Sequence, residues 1–262
     1  MENNRYKIIF FGNGPLADYA LNILEQKFEI VFHVRTKADL EEACRLKNEN
    51  PEIHGVLASF GVLIPGSVLE VFEPEGILNI HPSLLPAYRG ASPIESAILN
   101  GDTEFSVSVM KLVKAMDAGP IYYQTTLTNL PLSKDEIYRA LAEAGAKWIS
   151  DNLTNLPEPM TQDDKEATIC GKLDKNMGLL TPETDTAEKT FRKIVAYQGY
   201  PKPKYAFFGL SCIILDAHML KSGETAVLEI KCADGRSVAV DRLQPEGRKA
   251  MDVKSFLNGY AK

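Results

Sequence analysis

One short segment of the chain places an amide and an imidazole at alternate positions. Asn79 and His81 flank Ile80 in the run Gly76–His81, whose apolar residues predict a β-strand. Because side chains alternate along a strand, Asn79 and His81 share one face, with Cα atoms roughly 6.6 Å apart. An amide donor beside an imidazole can stabilise an oxyanion and move a proton. A structural alternative stays open, in which Asn79 is a capping residue and His81 a hydrogen-bonded structural histidine.

A carboxylate follows a later strand in the same half of the chain. Asp117 lies in the turn Met116–Pro120, shortly after a strand predicted over Ser106–Val113. An aspartate at a sheet edge can orient a histidine, raise its basicity and relay protons. Gly119 also favours an Asx turn at Asp117, so a purely structural role remains open for this residue.

The loop His81–Gly90 carries two prolines and two leucines. The prolines fix its backbone, and Leu84 and Leu85 predict an apolar wall for a flat ligand. Arg89 could hold an anion or stack on a ring. The alternative is a loop that only packs against its own helix.

A basic stretch with interleaved tyrosines lies in the last third of the chain. Between Lys189 and Tyr205 the sequence has no acidic residue. Basic and aromatic side chains together suit a phosphate backbone or exposed bases, although a solvated basic face would have the same composition. The cations of the stretch are Lys189, Arg192, Lys193, Lys202 and Lys204, and Arg242, Arg248, Lys249 and Lys254 add to them further along.

Alternating strands and helices must position these residues. Strands predicted over 7–11, 30–34, 55–59 and 76–81, with segments of helical spacing between them, indicate a Rossmann-like, doubly wound α/β fold with a parallel sheet. Ligands bind at the C-terminal ends of such strands, where Asn79 and His81 fall. Gly12 and Gly14 form a tight strand-to-helix turn. They do not complete a dinucleotide fingerprint, because position 17 is Ala, so we expect no nucleotide cofactor.

Composition divides the chain into two domains. We expect a catalytic domain over residues 1–154, a polar linker broken by prolines over 155–178, and a small β-barrel-like domain over 179–262. Thr181 and Pro182 are predicted to open the leading helix of the second domain. Residues 1–150 hold 13 basic and 19 acidic residues, whereas residues 179–262 hold 13 basic and 10 acidic ones, so the two domains differ in net charge.

The overall composition excludes several classes. Of the 262 residues, 45% are hydrophobic and 24% charged, as in ordinary globular proteins, so disorder and collagen-like repeats are excluded. No apolar run is long enough to span a bilayer, and Met1–Lys7 lacks the apolar core of a secretory signal, so we expect a cytoplasmic protein. Four cysteines without a CxxC pair predict neither a disulfide framework nor a metal site.

The candidate residues together resemble a known family. Asn79 and His81, then Pro82-Ser-Leu-Leu-Pro86, then Asp117 resemble the signature of the 10-formyltetrahydrofolate-dependent formyltransferases. Residues 88–94 and 99–102 are similar to the branch that formylates methionyl-tRNA. Residues 58–65 resemble the folate pocket of that branch, and residues 199–203 and 243–251 resemble its tRNA-gripping C-terminal domain. The resemblance therefore covers nearly the whole chain.

The resemblance implies an activity and a role for each site residue. A formyl group would pass from 10-formyltetrahydrofolate, a co-substrate, to the amino group of methionyl initiator tRNA. Asn79 and protonated His81 would donate hydrogen bonds to the oxyanion, and Asp117 would set the protonation of His81 and accept the amine proton. No metal is implied, and we expect a monomer. The folate-binding residues would be Phe60, Gly61, Val62, Leu63, Ile64, Pro65, Ser83, Leu84, Leu85, Pro86 and Val113. The residues at the substrate entrance and on tRNA would be Arg35, Lys37, Arg89, Lys189, Arg192, Lys193, Lys202, Lys204, Arg248 and Lys249.

The chain departs from this family at one place. The tRNA enzymes of the family usually carry a long basic loop after the second strand, whereas Val34–Asp39 here runs almost directly into the next helix. Arg35 and Lys37 are the only basic residues left there. Three alternatives therefore stay open: a formyltransferase acting on another amine such as a nucleotide-linked amino sugar, a 10-formyltetrahydrofolate hydrolase, and a non-catalytic tRNA-binding protein.

Overall fold

A computed structural model describes residues 5–130, 133–221 and 223–260. The chain forms two compact units, Met1–Ile94 with Thr103–Gly171, and Glu95–Asp102 with Lys172–Lys262. Residues 1–4, within the N-terminal segment predicted not to be a secretory signal, and residues 261–262 of the second predicted domain lie outside the described residues. Among the residues described, no helix is long and apolar enough to cross a membrane.

The first unit is built around a six-stranded sheet with helices between its strands. Its sheet strands are β1 (Lys7–Gly12), β2 (Glu29–Val34), β3 (His54–Ala58), β4 (Ile77–His81), β6 (Phe105–Lys111) and β7 (Ile121–Leu127), and a separate short pair is formed by β5 (Arg89–Gly90) and β8 (Ile169–Cys170). Its helices are α1 (Pro15–Lys27), α2 (Leu40–Glu49), α3 (Gly66–Val71) and α5 (Lys134–Asn152), and α4 (Pro93–Asn100) begins in this unit and continues into the second.

The strand order is β2-β1-β3-β4-β6-β7. The first four strands are parallel, as predicted for a doubly wound sheet, and β6 and β7 are antiparallel to their neighbours. The central parallel strands β1 and β3 are buried along most of their length, whereas the edge strands β2 and β7 are largely half-buried. The predicted α/β class is confirmed, with this mixed sheet as a difference in detail.

The core of the first unit forms because the central strands are apolar on both faces. Ile9 and Phe11 of β1 pack with Leu57 of β3 and Phe72, which follows α3. On the opposite face, Ile80 of β4 packs against α5 at Gly145. The alternation of β4 therefore directs Asn79 and His81 away from α5.

The segment predicted to be a linker is partly paired with the first unit. Met160 exchanges two backbone hydrogen bonds with Ile121, and β8 pairs in parallel with β5. Single-turn 3₁₀ helices occupy Asp164–Glu166 and Lys175–Gly178. The segment predicted to be a linker is therefore hydrogen-bonded to the first unit at several points as far as Gly171.

The second unit is an antiparallel sheet with one helix before it and one after it. Its strands are β9 (Lys204–Phe207), β10 (Leu210–Met219), β11 (Glu229–Lys231), β12 (Ser237–Pro245) and β13 (Met251–Asp252), and the helices beside this sheet are α6 (Ala187–Ala196) and α7 (Val253–Tyr260), in addition to the end of α4. The strand order is β11-β12-β10-β9, and β13 pairs with β12. The predicted hairpin turn between β11 and β12 is present, since the Cys232 N–H donates to the Arg236 carbonyl. The predicted β-rich class of this unit is confirmed.

The leading helix of the second unit begins later than the sequence predicted. It starts at Ala187, and the Thr186 hydroxyl caps it by accepting a hydrogen bond from the Lys189 N–H. Thr181 instead donates its hydroxyl to the Asp185 carboxylate, and its carbonyl closes a turn with the Asp185 N–H. The prediction of a helix opening at Thr181 was wrong because both residues have capping chemistry and only the later one precedes the apolar face.

Candidate active site

The face of β4 opposite α5 carries the predicted amide and imidazole. Both Asn79 and His81 are 4% exposed. Strand alternation places them on one face, since Ile80 between them packs against Gly145 on the other. The sheet switches from parallel to antiparallel pairing at this strand, and Asn79 and His81 lie toward its C-terminal end. Such an end is where open α/β sheets bind ligands.

The hydrogen bonding of His81 fixes the roles of its two ring nitrogens. Nε2 lies 3.1 Å from the Tyr88 carbonyl oxygen, which can only accept, so Nε2 carries the proton and donates. Nδ1 faces the Asp117 carboxylate, with 3.7 Å between Nδ1 and Oδ2. In neutral His81 it is therefore Nδ1 that holds the lone pair and can accept a proton from a substrate.

Burial lowers the pKa of His81, and the negative charge of Asp117 and the Tyr88 carbonyl oppose that shift without cancelling it. This direction favours a neutral imidazole in the free enzyme at neutral pH. The sequence analysis expected a protonated His81 that donates to the oxyanion, and that role stays a prediction.

Asp117 occupies a tight turn held by its own side chain. Its φ of +48° is left-handed, and its Oδ2 accepts a hydrogen bond of 2.8 Å from the Gly90 N–H. Two glycines make this approach possible: a Cβ at Gly119 would lie 1.9 Å from the Lys111 carbonyl oxygen, and one at Gly90 would lie 2.0 Å from the Cys170 carbonyl oxygen. The turn thus directs the carboxylate at His81 rather than at solvent.

Asn79 has a buried side chain with an open amide. None of the other residues that the structure describes forms a hydrogen bond with this amide. Its oxygen and nitrogen are not among the fully enclosed atoms that lack a partner in the described part of the chain, so the amide can be reached by a ligand. The structure thus brings His81 and Asp117 together and leaves Asn79 available on the same face as His81.

The residues predicted to hold the folate divide into exposed and buried groups. Leu63 and Leu84 are 74% and 46% exposed, whereas Phe60, Ile64 and Leu85 are core residues. Leu85 packs with Met110 and Ile121, so the expected wall presents only Leu84. Gly61 is exposed, Ser83 is buried, and Val62, Pro65, Pro86 and Val113 are half-buried.

Side chains from β6 and β7 fix the loop after β4, a role that no sequence pattern indicated. The Ser108 hydroxyl donates to the Ser83 carbonyl and accepts from the Leu85 N–H. Gln124 donates to the Leu85 carbonyl and to Ser108. Ser83 itself donates its hydroxyl to the Ala87 carbonyl. The loop is therefore rigid because its polar groups are paired internally, in addition to its prolines.

The Arg89 side chain, which the sequence analysis expected to hold an anion or stack on a ring, is bonded within the protein in this structure. Its side chain is 8% exposed, and Nε and Nη2 donate to Gln162 Oε1 at 3.0 and 2.8 Å. Its Nη1 forms an ion pair of 2.8 Å with Asp164. These charge-assisted bonds tie the loop that carries Arg89 to the segment that carries Gln162 and Asp164.

The connection after β2 is as short as the sequence indicates. β2 ends at Val34, and a 3₁₀ turn begins at Lys37. The Asp39 carboxylate accepts hydrogen bonds from the Arg35 and Thr36 N–H groups, and these bonds lower the pKa of Asp39. Arg35 also donates to the His33 ring. Arg35 and Lys37 are exposed on this closed turn.

The basic residues of the second unit are less free than their spacing suggested. Lys189 and Lys193 both form ion pairs with the buried Asp185, and Arg192 lies against Gly101, where a Cβ would be 2.3 Å from its guanidinium carbon. Burial alone would raise the pKa of Asp185, but hydrogen bonds from Lys189, Lys193 and Thr181 lower it to about 2. Of the predicted tRNA-binding cations in this unit, Lys202, Arg248 and Lys249 are exposed and Lys204 is half-buried.

A buried imidazole with an aspartate beside it and an open amide on the same face define a site suited to group transfer from a carbonyl carbon. Residues 16–153 match the family "Formyl transferase", and residues 172–261 match "Formyl transferase, C-terminal domain". The chain belongs to the formyl transferase family.

Individual relatives agree with this membership. The methionyl-tRNA formyltransferase of Granulibacter bethesdensis is 35% identical over 243 residues, covering 87% of this chain and 74% of the relative. The solved methionyl-tRNA formyltransferase from Clostridium thermocellum superposes with a TM-score of 0.68 at 20% identity, covering 92% of this chain and 98% of that one. HypX from Aquifex aeolicus in complex with tetrahydrofolic acid gives a TM-score of 0.73 at 18% identity, covering 98% of this chain and 47% of that one. These two structures support the fold.

Proposed function

We propose that this enzyme transfers a formyl group from 10-formyltetrahydrofolate to the amino group of methionyl initiator tRNA. The observation that carries the proposal is the similarity to curated methionyl-tRNA formyltransferases, which are 31–35% identical over 82–87% of this chain. These alignments are long enough to include both units. The proposed acceptor is a charged tRNA, so we also propose a cytoplasmic location, with the enzyme acting as a monomer.

The exposed apolar side chains around the site fit a flat co-substrate. Leu63, Leu84 and Met116 are each at least 46% exposed, and they lie in the loops that follow β3, β4 and β6. We assign the folate to this region, with the more buried members of the predicted folate set forming the support beneath it. 10-Formyltetrahydrofolate supplies the formyl group, and the chemistry requires no metal.

Asn79 is the proposed oxyanion donor. When the amine attacks the formyl carbon, negative charge develops on the formyl oxygen. The Asn79 residue is 4% exposed and its amide is not tied to a protein group, so it can donate to this oxygen without first losing a protein partner. Removing one such donor typically costs about 10²–10³ in rate.

His81 and Asp117 are the proposed proton carriers. As the amine attacks, Nδ1 of neutral His81 takes the proton that the amine releases. The imidazolium is stabilised by the Asp117 carboxylate at 3.7 Å and by the Tyr88 carbonyl at Nε2. The same proton then passes to the leaving nitrogen, so that each turnover returns His81 to the neutral form. This assigns to His81 the acceptance of the amine proton that the sequence had suggested for Asp117.

The test is transfer of radiolabelled formyl from 10-formyltetrahydrofolate, with initiator and elongator methionyl-tRNA assayed side by side. Transfer to the initiator alone supports the proposal and shows that discrimination does not need a long loop after β2. Release of labelled formate without an acceptor would identify a hydrolase. Transfer only to a nucleotide-linked amino sugar, supplied in parallel, would identify a different amine as the substrate.

A further inference from the structure

Gln162 joins the two backbone segments that enclose the His81–Asp117 pair. Its Nε2 donates to the Asp117 carbonyl at 2.8 Å and to the Gly119 carbonyl at 2.7 Å. Its Oε1 accepts the two hydrogen bonds from Arg89. The orientation of the amide is unambiguous, because two carbonyls require a donor and a guanidinium requires an acceptor.

Both contacts of Gln162 reach backbone that touches the reacting side chains. On one side, Arg89 lies between Tyr88, whose carbonyl accepts from His81, and Gly90, whose N–H donates to the Asp117 carboxylate. On the other side, Gln162 holds the carbonyl of Asp117 itself. One carboxamide therefore links the groups that orient His81 to the turn that presents Asp117.

The turn requires such a restraint. Asp117 has a φ of +48°, a region that residues other than glycine adopt at a cost. Its distance to His81, 3.7 Å, exceeds that of a hydrogen bond, so no direct bond between the two side chains fixes the turn. The carbonyls of residues 117 and 119 both point at one NH₂ group, which closes the turn from the backbone side.

We propose that Gln162 is a positioning residue that holds Asp117 against His81 during formyl transfer. The expected effect on kcat rests on the proposed function, whereas the geometry rests on the hydrogen bonds of Gln162 with Asp117, Gly119 and Arg89. If the turn relaxes by about 1.3 Å, the Coulomb stabilisation of the imidazolium falls by an amount equivalent to about 1 pKa unit of His81.

The experiment compares the parent chain with Gln162→Met, which keeps the side-chain length and removes both donor and acceptor. Asn152→Leu is the matched control, because Asn152 also donates its carboxamide to a backbone carbonyl, that of Trp148, within the same unit. The His81 pKa is measured by NMR on the ¹⁵N-labelled full chain, with the signal assigned from a His81→Gln variant. Formyl transfer to methionyl-tRNA is measured on the same samples.

We expect the His81 pKa to fall by about 1 unit and kcat to fall about tenfold in Gln162→Met, with KM for 10-formyltetrahydrofolate unchanged and the control like the parent. A His81 titration and a kcat equal to those of the parent would overturn the inference, even if the variant melted earlier. Gln162→Asn shortens the side chain by one methylene and should also lower the His81 pKa and kcat. This variant replaces Gln162→Met in the experiment if Gln162→Met does not fold. If the parent chain transfers no formyl group, the proposed function is refuted. The change in the His81 pKa measured by NMR would still decide whether Gln162 positions Asp117.

Discussion

Replacing Asp117 by asparagine removes a charge from the site while leaving its shape. The Gly90 N–H that donates to Oδ2 at 2.8 Å can donate equally to an amide oxygen. Asparagine also tolerates the left-handed φ of +48° at this position. We therefore expect Asp117→Asn to fold with the turn intact, so that a change in activity reports the missing charge.

The magnitude depends on the distance between Asp117 and His81. At 3.7 Å, two unit charges interact by about 4.5 kcal/mol at an effective dielectric constant of about 20, before the loss of solvation is subtracted. Opposite charges this close shift a pKa by about 1–3 units, which corresponds to about 1.4–4 kcal/mol of imidazolium stabilisation. If His81 must become an imidazolium in the transition state, kcat falls about 10- to 1000-fold.

The pH dependence has a definite sign. The Asp117 charge opposes the burial that lowers the pKa of His81, so removing it lowers that pKa further. The acid limb of the kcat/KM profile, which reports the neutral base, should move to lower pH while the plateau falls. The assay is formyl transfer to methionyl-tRNA between pH 5 and 9, with a thermal melt of each variant. A kcat within threefold of the parent and an unmoved acid limb would refute the proton transfer through this pair.

Three further outcomes are expected. Asn79→Ala should lose about 10²–10³ in kcat with folate binding retained, and a kcat equal to the parent's would remove Asn79 from the oxyanion site. Asp185→Asn should lower the free energy of unfolding in urea by about 2 kcal/mol at pH 7, because the pKa of the carboxyl is depressed to about 2; the difference should vanish as the pH falls from about 4 through 2, and an equal stability at pH 7 would contradict the ion pairs. Charge reversal at Lys202 and Lys204 should raise the apparent KM for tRNA and flatten its salt dependence, whereas an unchanged KM would exclude this surface.

The fold was predictable from the sequence because strands and helices follow from the spacing of apolar residues and the length of each apolar segment. Apolar runs of four to six residues with helical segments between them define parallel strands, and the strand predicted over residues 76–81 differs from β4, Ile77–His81, by one residue. The prediction of a helix beginning at Thr181 was wrong because Thr181 forms a turn with Asp185 instead of capping a helix. From the sequence alone, a threonine that closes such a turn cannot be distinguished from one that caps a helix. The antiparallel direction of β6 has no sequence signal of its own, since strand direction depends on how the connection packs.

The candidate site was predictable only in part. Alternation places Asn79 and His81 on one face, but the neutral state of His81 depends on its enclosure, which no local pattern reports. The polar composition around Gln162 predicted a linker, although its hydrogen bonds to Asp117 and Gly119 belong to the site. A side chain that acts by holding distant backbone carbonyls has no spacing that sequence analysis can recognise.

The number of basic residues in the basic stretch overestimates the positive charge that is free to bind a ligand, because some of these residues form ion pairs. Lys189 and Lys193 entered that count because no acidic residue lies between Lys189 and Tyr205, yet Asp185 lies one helical turn before Lys189 and pairs with both. These two lysines therefore stabilise the start of α6 through a buried carboxylate, and their charge is already compensated. Lys202, Lys204, Arg248 and Lys249 remain for a phosphate backbone, together with the exposed Arg242 and Lys254. Because the turn after β2 is too short to supply a basic loop, we expect the proposed affinity for tRNA to depend on these six cations.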